Sequence, residues 1–355
     1  MADYKTAGVD IIAGDAASKI AYKFARSTFS SRRGLIGEPV TDEGSFAGML
    51  DMGDFYLVQG DDGVGTKIEI AESIGKYDTL GYDLLAMVCD DAICLGAETI
   101  SISNTIDTNK VDPEVISQLM QGLAQACLQQ KVVIPGGEIA EVGSSVNGNI
   151  WNATAVGVVK KDQVISGRDI QVGDKIIALQ ESGFRSNGFT LVRYILENKF
   201  GKDVYGMTSP WGQSWGEAVL QPSTIYSAAI LQLIGRFSEE AKFKIKGIAH
   251  ITGGGIAGNF NRILKQSKLG ARFTDLFQPS ALVKEIQRLG NVKEQEAYKT
   301  WNMGNGMMLV VAAEEAEEIV KELSLASKIV GEIVAEPEIL IQTCGIDPQE
   351  IVFSI

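Results

Sequence analysis

Gln59-Gly60-Asp61-Asp62-Gly63-Val64-Gly65-Thr66-Lys67 follows the apolar run Phe55 to Val58. Its seven residues from Asp61 to Lys67 hold two carboxylates, two glycines, a hydroxyl and a lysine. Asp61 and Asp62 can hold a hard cation through oxygen, while Gly63 and Gly65 let backbone N–H groups approach an anion. Thr66 adds a hydroxyl and Lys67 a point charge, so the segment suits a metal-bound phosphate. The chain has no G-x-x-x-x-G-K-[ST] pattern, so a nucleotide would be held in some other way. The competing reading is an acidic hairpin, since Asp-Gly is also a common short turn.

Outward from this stretch, the first half alternates strand-like and helix-like segments. Thr79 to Gly96 carries Leu84, Leu85, Val88, Ala92 and Leu95 at helical spacing. A second helix is expected from Pro113 to Leu128, with Asp112 as its cap. Short strands follow at Val132 to Ile134, ending in Pro135-Gly136-Gly137-Glu138, and at Ala153 to Val159. Turn chemistry between Ile165 and Asp174 marks a seam. Two domains are therefore expected, residues 1–170 and 171–355, as befits 355 residues. In the second half, strands are expected at Lys175 to Leu179, Ile245 to Ile251, Met307 to Ala312 and Lys328 to Val334. Helices are expected at Gly188 to Glu197, Ile256 to Leu264 and Glu314 to Ser324. The mixture indicates an α/β (α+β) class with layered sheets and helices.

Composition narrows the function. A formal charge of −13 argues against duplex nucleic acid or an anionic membrane as partner. An acidic enzyme of phosphorylated substrates needs a cation to help. Cys89, Cys94, Cys127, Cys344 and the lone His250 make no zinc spacing and no disulfide framework. Reduced thiols, an amino terminus without a secretory progression and the absence of a long apolar run imply cytoplasm.

Several constellations can carry chemistry. Asp90 and Asp91 lie inside the first helix, about 100 degrees apart, so at most one faces the same spot as Asp83, a heptad earlier. Either they ligate a metal or nucleotide, or they form a solvated face. Glu138 and Glu141 stand where sheets commonly place ligand groups, or simply open a helix. In Ser182-Gly183-Phe184-Arg185-Ser186-Asn187-Gly188, Ser186 or Asn187 can cap a helix whose N–H groups, with Arg185, receive a phosphate. Gly253, Gly255 and Gly258 form a literal G-x-G-x-x-G after His250, with Asp275 as a loose ribose carboxylate, though such loops serve many phosphates. His250 is either a general acid or base, a substrate donor, or a structural residue. Asn302, in Trp301-Asn302-Met303-Gly304, is polar lining or a turn former.

Taken in order, the segments resemble the aminoimidazole ribonucleotide synthetase family, the phosphoribosylformylglycinamidine cyclo-ligases. The likeness spans essentially the whole chain: Tyr4 to Ile11, Gly44 to Gly48, Asp62 to Lys67, Gly81 to Leu84 with Asp91, Gly96 to Glu98, Gly136 to Glu141, Ser186 to Gly188, His250 to Gly255 and Asn302 to Met307. It implies a homodimer whose N-terminal sheets pair into an intersubunit barrel, with ATP at that interface and a C-terminal α/β domain of mixed sheet over the cleft. The implied reaction closes the imidazole ring of formylglycinamidine ribonucleotide. ATP phosphorylates the amide oxygen and the substrate's own nitrogen attacks the activated carbon. By position, Asp62, Asp91 and Glu138 would bind Mg2+ and ATP, with Gly63, Gly65, Thr66 and Lys67 beside the phosphates. Asn187, His250 and Arg185 would handle the substrate, and Gly253, Gly254 and Gly255 would receive a phosphate.

The chain departs from the family pattern in places. The family commonly has Thr at Asp61, Asn at Asp90, Asp at Asn104, Thr at Ile139 and His at Arg185. A permanent cation at Arg185 cannot shuttle a proton as histidine does. The reading is therefore an ATP-dependent cyclo-ligase. The alternatives are a paralogue activating another small substrate, or one that binds nucleotide without turnover.

Overall fold

The computed structural model describes residues 2–40 and 45–355; Gly44 of the quoted motif lies outside them. The first sheet holds β1 (Glu38–Pro39), β2 (Gly48–Asp51), β3 (Phe55–Gly63), β4 (Glu98–Thr108), β5 (Val133–Glu141) and β6 (Asn149–Lys160), in the order β1-β2-β3-β6-β4-β5. All neighbours are antiparallel except β4 and β5. That parallel pair needs a crossover, and the helix α4 (Pro113–Gln130) supplies it. Asp112 caps α4 through the Glu114 N–H at 2.9 Å, as the sequence indicates.

Before the sheet lies α1 (Ile11–Ser27); between β3 and β4 lie α2 (Lys67–Ile74) and α3 (Leu80–Ile93). α3 and α4 cover the sheet face that carries Ile102, Ile106, Ala153 and Ala155. They approach closely because Gly81 and Gly122 lack side chains. A Cβ on Gly81 would lie 2.0 Å from the Leu123 nitrogen.

The second sheet holds β7 (Lys175–Gln180), β8 (Ile245–His250), β9 (Gly270–Phe273), β10 (Asn305–Val311), β11 (Ser327–Val334), β12 (Glu338–Gln342) and β13 (Glu350–Ser354). Its order is β13-β12-β9-β11-β7-β10-β8, and only β9 and β12 run parallel. Every residue of β10 is buried. Met308 and Val310 enter the cluster with α5 (Phe189–Phe200), while Met307 and Leu309 enter a second cluster with α7 (Ser227–Ile234). Both faces are covered, which explains the unbroken apolar run. The short α6 (Trp215–Val219) opens with a Ser214/Glu217 capping box. The two sheets thus give an α/β two-domain architecture. The amino terminus reaches back to the second: Ala2 N–H donates to the Gly290 carbonyl at 2.9 Å. Among the described residues no helix is long and apolar enough to cross a membrane.

Three local expectations change. β3 runs on through Asp61, Asp62 and Gly63, so the first loop shrinks to Val64-Gly65-Thr66. β5 continues through Pro135-Gly136-Gly137 to Glu141, because an edge strand tolerates a missing N–H. The dinucleotide reading of Gly253, Gly255 and Gly258 fails on topology. The helix after that loop, α8 (Gly255–Leu264), leads to β9, which pairs with β11 and β12 and never with β8. Asp275 is a surface partner of Lys328 at 2.7 Å.

Candidate active site

Three loops that follow a strand and open a helix converge: β3 to α2, β7 to α5 and β8 to α8. A Cβ on Gly65 would sit 3.5 Å from the Ser186 carbonyl, and one on Gly253 would sit 3.7 Å from Asn187 Nδ2. Thr66 Oγ1 and Thr190 Oγ1 are 3.4 Å apart. Asn187 Oδ1 is buried without a protein partner, which leaves an acceptor for a ligand. Gly255 must be glycine: its φ is +63°, and a Cβ would meet the Tyr298 carbonyl at 1.9 Å.

Arg185 closes the floor. It is fully buried, with the left-handed φ of 59° that non-glycine residues rarely adopt. One terminal nitrogen donates to Glu181 Oε2 at 2.9 Å and the Thr224 carbonyl at 2.7 Å. The other donates to Asp90 Oδ2 at 2.7 Å and to His250 Nε2 at 2.8 Å. Asp90 Oδ1 also accepts the Tyr226 and Ser227 N–H groups at the start of α7. Burial opposes the Arg185 charge, but Asp90, Tyr226 and Glu181 outweigh it and raise the pKa. Both terminal nitrogens of Arg185 are therefore taken by protein acceptors, while its Nε–H is buried without one. The departures at positions 90 and 185 explain each other, because the gained carboxylate and the gained cation form one ion pair. Asn104, a third departure, accepts the Trp151 Nε1–H at 3.0 Å in the core.

Arginine always donates, so His250 Nε2 must be the unprotonated nitrogen. The proton then sits on Nδ1 and faces Asp91 Oδ1 at 2.7 Å. Burial, with Arg185 adding to it, holds the His250 pKa well below the usual 6.5, so the ring is neutral. Asp62, at the end of β3, is pushed up to about 6 by burial and secondarily by Asp91. Asp91 is pushed up to about 7 by burial, against the pull of Arg262 and Arg185. Asp62 and Asp91 are thus neighbouring, desolvated carboxylates short of positive charge.

The remaining expected residues separate. Asp61 points to the opposite face of β3, where the Thr154 hydroxyl donates to it. Lys67 is fully buried: Nζ donates to Asp83 Oδ1 at 2.8 Å, the Gln221 carbonyl at 2.7 Å and the Arg185 carbonyl at 3.2 Å. Burial lowers the Lys67 pKa and raises that of Asp83. Its ammonium braces the loop from within the protein. Glu138 is registered through Thr105 and Asn152 with Gly63, one position beyond Asp62, so it lies on the other face and three strands away, about 14 Å. Among the described residues of one protomer, no three metal-binding side chains gather. Asp62 and Asp91 alone still fit Mg2+, which commonly takes one or two carboxylates and completes its shell with phosphate oxygens and water.

Sequence reasoning passed over Glu181, Tyr226 and Arg262. Glu181 had a signal, a lone carboxylate ending a buried strand; it accepts from Ser182, Thr224, Tyr226 and Arg185. Tyr226 had none, since its hydroxyl reaches Glu181 only through tertiary packing. Asn302 proves a tether, donating to the Gly183 carbonyl at 2.9 Å.

Residues 44–159 match the AIR synthase related protein N-terminal domain and residues 171–342 its C-terminal domain, so the chain belongs to the AIR synthase-related family. The fold agrees with solved structures: a HypE–HypF complex chain has a TM-score of 0.60 at 18% identity, covering 87% of this chain and 93% of that one. A Thermotoga maritima PurL complexed with FGAR gives 0.59 at 16%, covering 91% and 49%. The relatives that match from end to end are phosphoribosylformylglycinamidine cyclo-ligases. That of Thermococcus kodakarensis is 38% identical over 98% of this chain and 99% of its own. That of Pyrococcus furiosus is 36% identical over 98% and 99%.

Proposed function

We infer that this chain is an ATP-dependent cyclo-ligase that closes the imidazole ring of formylglycinamidine ribonucleotide in purine biosynthesis, yielding aminoimidazole ribonucleotide, ADP and phosphate. The observation that carries the reading is end-to-end similarity to such ligases, joined to the meeting of Asp62, Asp91, Asn187 and the Gly253-Gly254-Gly255 loop at one place. Asp62 and Asp91 hold magnesium, which supplies neutralisation of the phosphate charge when bound. Gly63, Gly65 and Thr66 line the nucleotide side, and Gly253 to Gly255 offer N–H groups at the start of α8 to a phosphate. Asn187 orients the substrate amide with its unpartnered carbonyl oxygen. His250, neutral and fixed by Arg185, keeps Asp91 in place. Enclosure between the sheets brings the reacting nitrogen near the activated carbon and keeps water away.

The enzyme works as a homodimer whose first sheets pair into a barrel, with ATP at the interface. In support, Ile100, Val133 and Ile150 are exposed on three neighbouring strands, and β5 presents an open edge. Glu138 stands exposed on the sheet and joins the metal site from that interface. Residues 1–170 and 171–355 form the ATP-binding and substrate domains. Four free thiols fit a cytoplasmic location.

Purified protein given formylglycinamidine ribonucleotide and Mg-ATP is expected to yield ring product and ADP in equal amounts. ATP left unconsumed with this substrate overturns the proposal.

A further inference from the structure

The amino-terminal turn, Asp3 to Val9, precedes α1 and the first sheet, yet it packs on the second domain beside the loop that carries Asn187. Its own side chains build it. Asp3 Oδ1 accepts the Thr6 N–H at 2.7 Å, Thr6 Oγ1 accepts the Asp3 N–H at 3.0 Å, and the Tyr4 carbonyl accepts the Val9 N–H at 2.9 Å. Two elements of the second domain anchor it. Buried Ala2 gives its N–H to Gly290, just past α9 (Ala281–Leu289), and the Tyr4 N–H goes at 3.3 Å to Glu296 Oε1 on α10 (Glu294–Thr300). Tyr4 and Ala7 pack against the large core. The Tyr4 phenolic oxygen then accepts the Gly188 N–H at the start of α5.

That contact falls on the residue next to Asn187. The turn from β7 to α5 carries Arg185 at φ 59°, a strained conformation that persists only where the surroundings fix it. Gly188 ends the turn as the cap of α5, with φ 75°. The end of α10 presses on it from one side, since a Cβ there would meet the Trp301 indole at 2.5 Å. Tyr4 holds its N–H, one of the donors a helix start leaves open. Asn187 Oδ1 has no protein partner, so the backbone on either side sets the direction of the side chain. Burial pushes the Tyr4 pKa up to about 12, against the pull of the Gly188 N–H, so the phenol stays neutral and keeps its place as an acceptor. Through its own N–H, Tyr4 also rests on the helix whose Tyr298 carbonyl backs Gly255. One residue therefore joins the Asn187 loop to the support of the Gly253 to Gly255 loop.

We propose that Tyr4 is a positioning residue for the substrate: its hydroxyl, held on the Gly188 N–H, sets the direction of Asn187 and with it the grip on the amide of the ribonucleotide. What Asn187 touches rests on the cyclo-ligase reading. A single hydroxyl-to-amide bond is modest, but a misplacement of about 1 Å in an orienting group can cost about a hundredfold in rate. Asp62 and Asp91 stand on β3 and α3 rather than on α5 or α10, so the nucleotide side is spared.

Tyr4→Phe in the full-length protein keeps the ring and removes the acceptor. The value of kcat/KM for formylglycinamidine ribonucleotide should fall by roughly tenfold, while KM for ATP stays within about twofold. Calorimetry with the ribonucleotide alone should show the same weakening without turnover. In an Asn187→Ala background the same change should cost less than about twofold, because the group that Tyr4 positions is gone. A loss that persists undiminished in that background, or that ATP shares equally, overturns the proposal, since Tyr4 would then serve only the stability of the fold. A wild type and a Tyr4→Phe variant that turn over the ribonucleotide equally well overturn this inference alone. A wild type that neither binds nor converts it overturns the cyclo-ligase reading and this inference with it.

Discussion

The buried pair Arg185–Asp90 offers the sharpest test of how the site is built. Arg185→His removes a guanidinium that four acceptors share and leaves Asp90, fully buried, with only the Tyr226 and Ser227 N–H groups. Breaking one side of a buried pair typically costs about 3–5 kcal/mol, because the other charge stays behind without compensation. Asp90→Asn is milder. The amide oxygen keeps both backbone donors and Arg185 keeps Glu181, so roughly 1–3 kcal/mol is expected. The double variant has neither charge, and should fall short of the sum of the singles by at least about 1 kcal/mol. Urea unfolding followed by tryptophan fluorescence and by circular dichroism gives the four stabilities, and coincident transitions license a two-state treatment. An Arg185→His cost below about 1 kcal/mol, or additivity within about 0.5 kcal/mol, would refute the view that the two departures form one structural unit.

Because His250 is the only histidine, its ring nitrogens are individually visible by NMR. They should report a neutral Nδ1–H tautomer that does not titrate near pH 6.5; a normal titration would contradict the Arg185 contact. The sign follows for stability: the unfolded ring takes up a proton below its ordinary value and the folded ring resists, so this group's contribution is intact above about pH 6.5 and is lost as pH falls towards its depressed folded value. Asp62→Asn and Asp91→Asn should each lower kcat/KM for cyclisation by roughly a hundredfold or more with the fold kept, measured at saturating magnesium; a change within threefold would remove that carboxylate from the site. Gly255→Ala should destabilise by more than about 1 kcal/mol, since it forces both a positive φ and a clash with the Tyr298 carbonyl; an unchanged thermal midpoint would show that the loop can move aside.

Much of the frame was legible because local signals agreed with it. Asp112 before Pro113 marked α4, and the apolar run near Met307 marked a strand, which the fold covers on both sides. What failed did so where tertiary context overrode local chemistry. Asp61-Asp62-Gly63 reads as a turn, but pairing with Asn152 to Thr154 holds it in a strand, and strand alternation then sends the two aspartates apart. Pro135-Gly136-Gly137 reads as a strand's end, yet β4 keeps it paired. Among the candidate site residues, Asp62, Asp91 and His250 were named by type and position, and the fold sets them side by side. Lys67 and Arg185 were named for their charge, but no one-dimensional pattern says that a cation points inward.

Why they point inward follows from the helix they brace. Asp83 and Asp90 are one heptad apart, so both face the second sheet, and each is met there by one buried cation. Those cations also reach across the domain junction: Lys67 takes the Gln221 and Arg185 carbonyls, and Arg185 takes Glu181, Thr224 and His250. Asp91, next in sequence but about 100 degrees around the helix, is left to face Asp62. One stretch of α3, Asp83 to Asp91, therefore does two jobs. Its buried side locks the second domain against the first, and its open side presents a carboxylate whose position that lock fixes. A change at Arg185 should then disturb the Asp62–Asp91 carboxylate pair proposed to hold magnesium, by releasing His250 and with it Asp91. Magnesium affinity in the presence of a nonhydrolysable ATP analogue should fall in Arg185→His. Unchanged affinity would mean that α3 alone holds Asp91 in place.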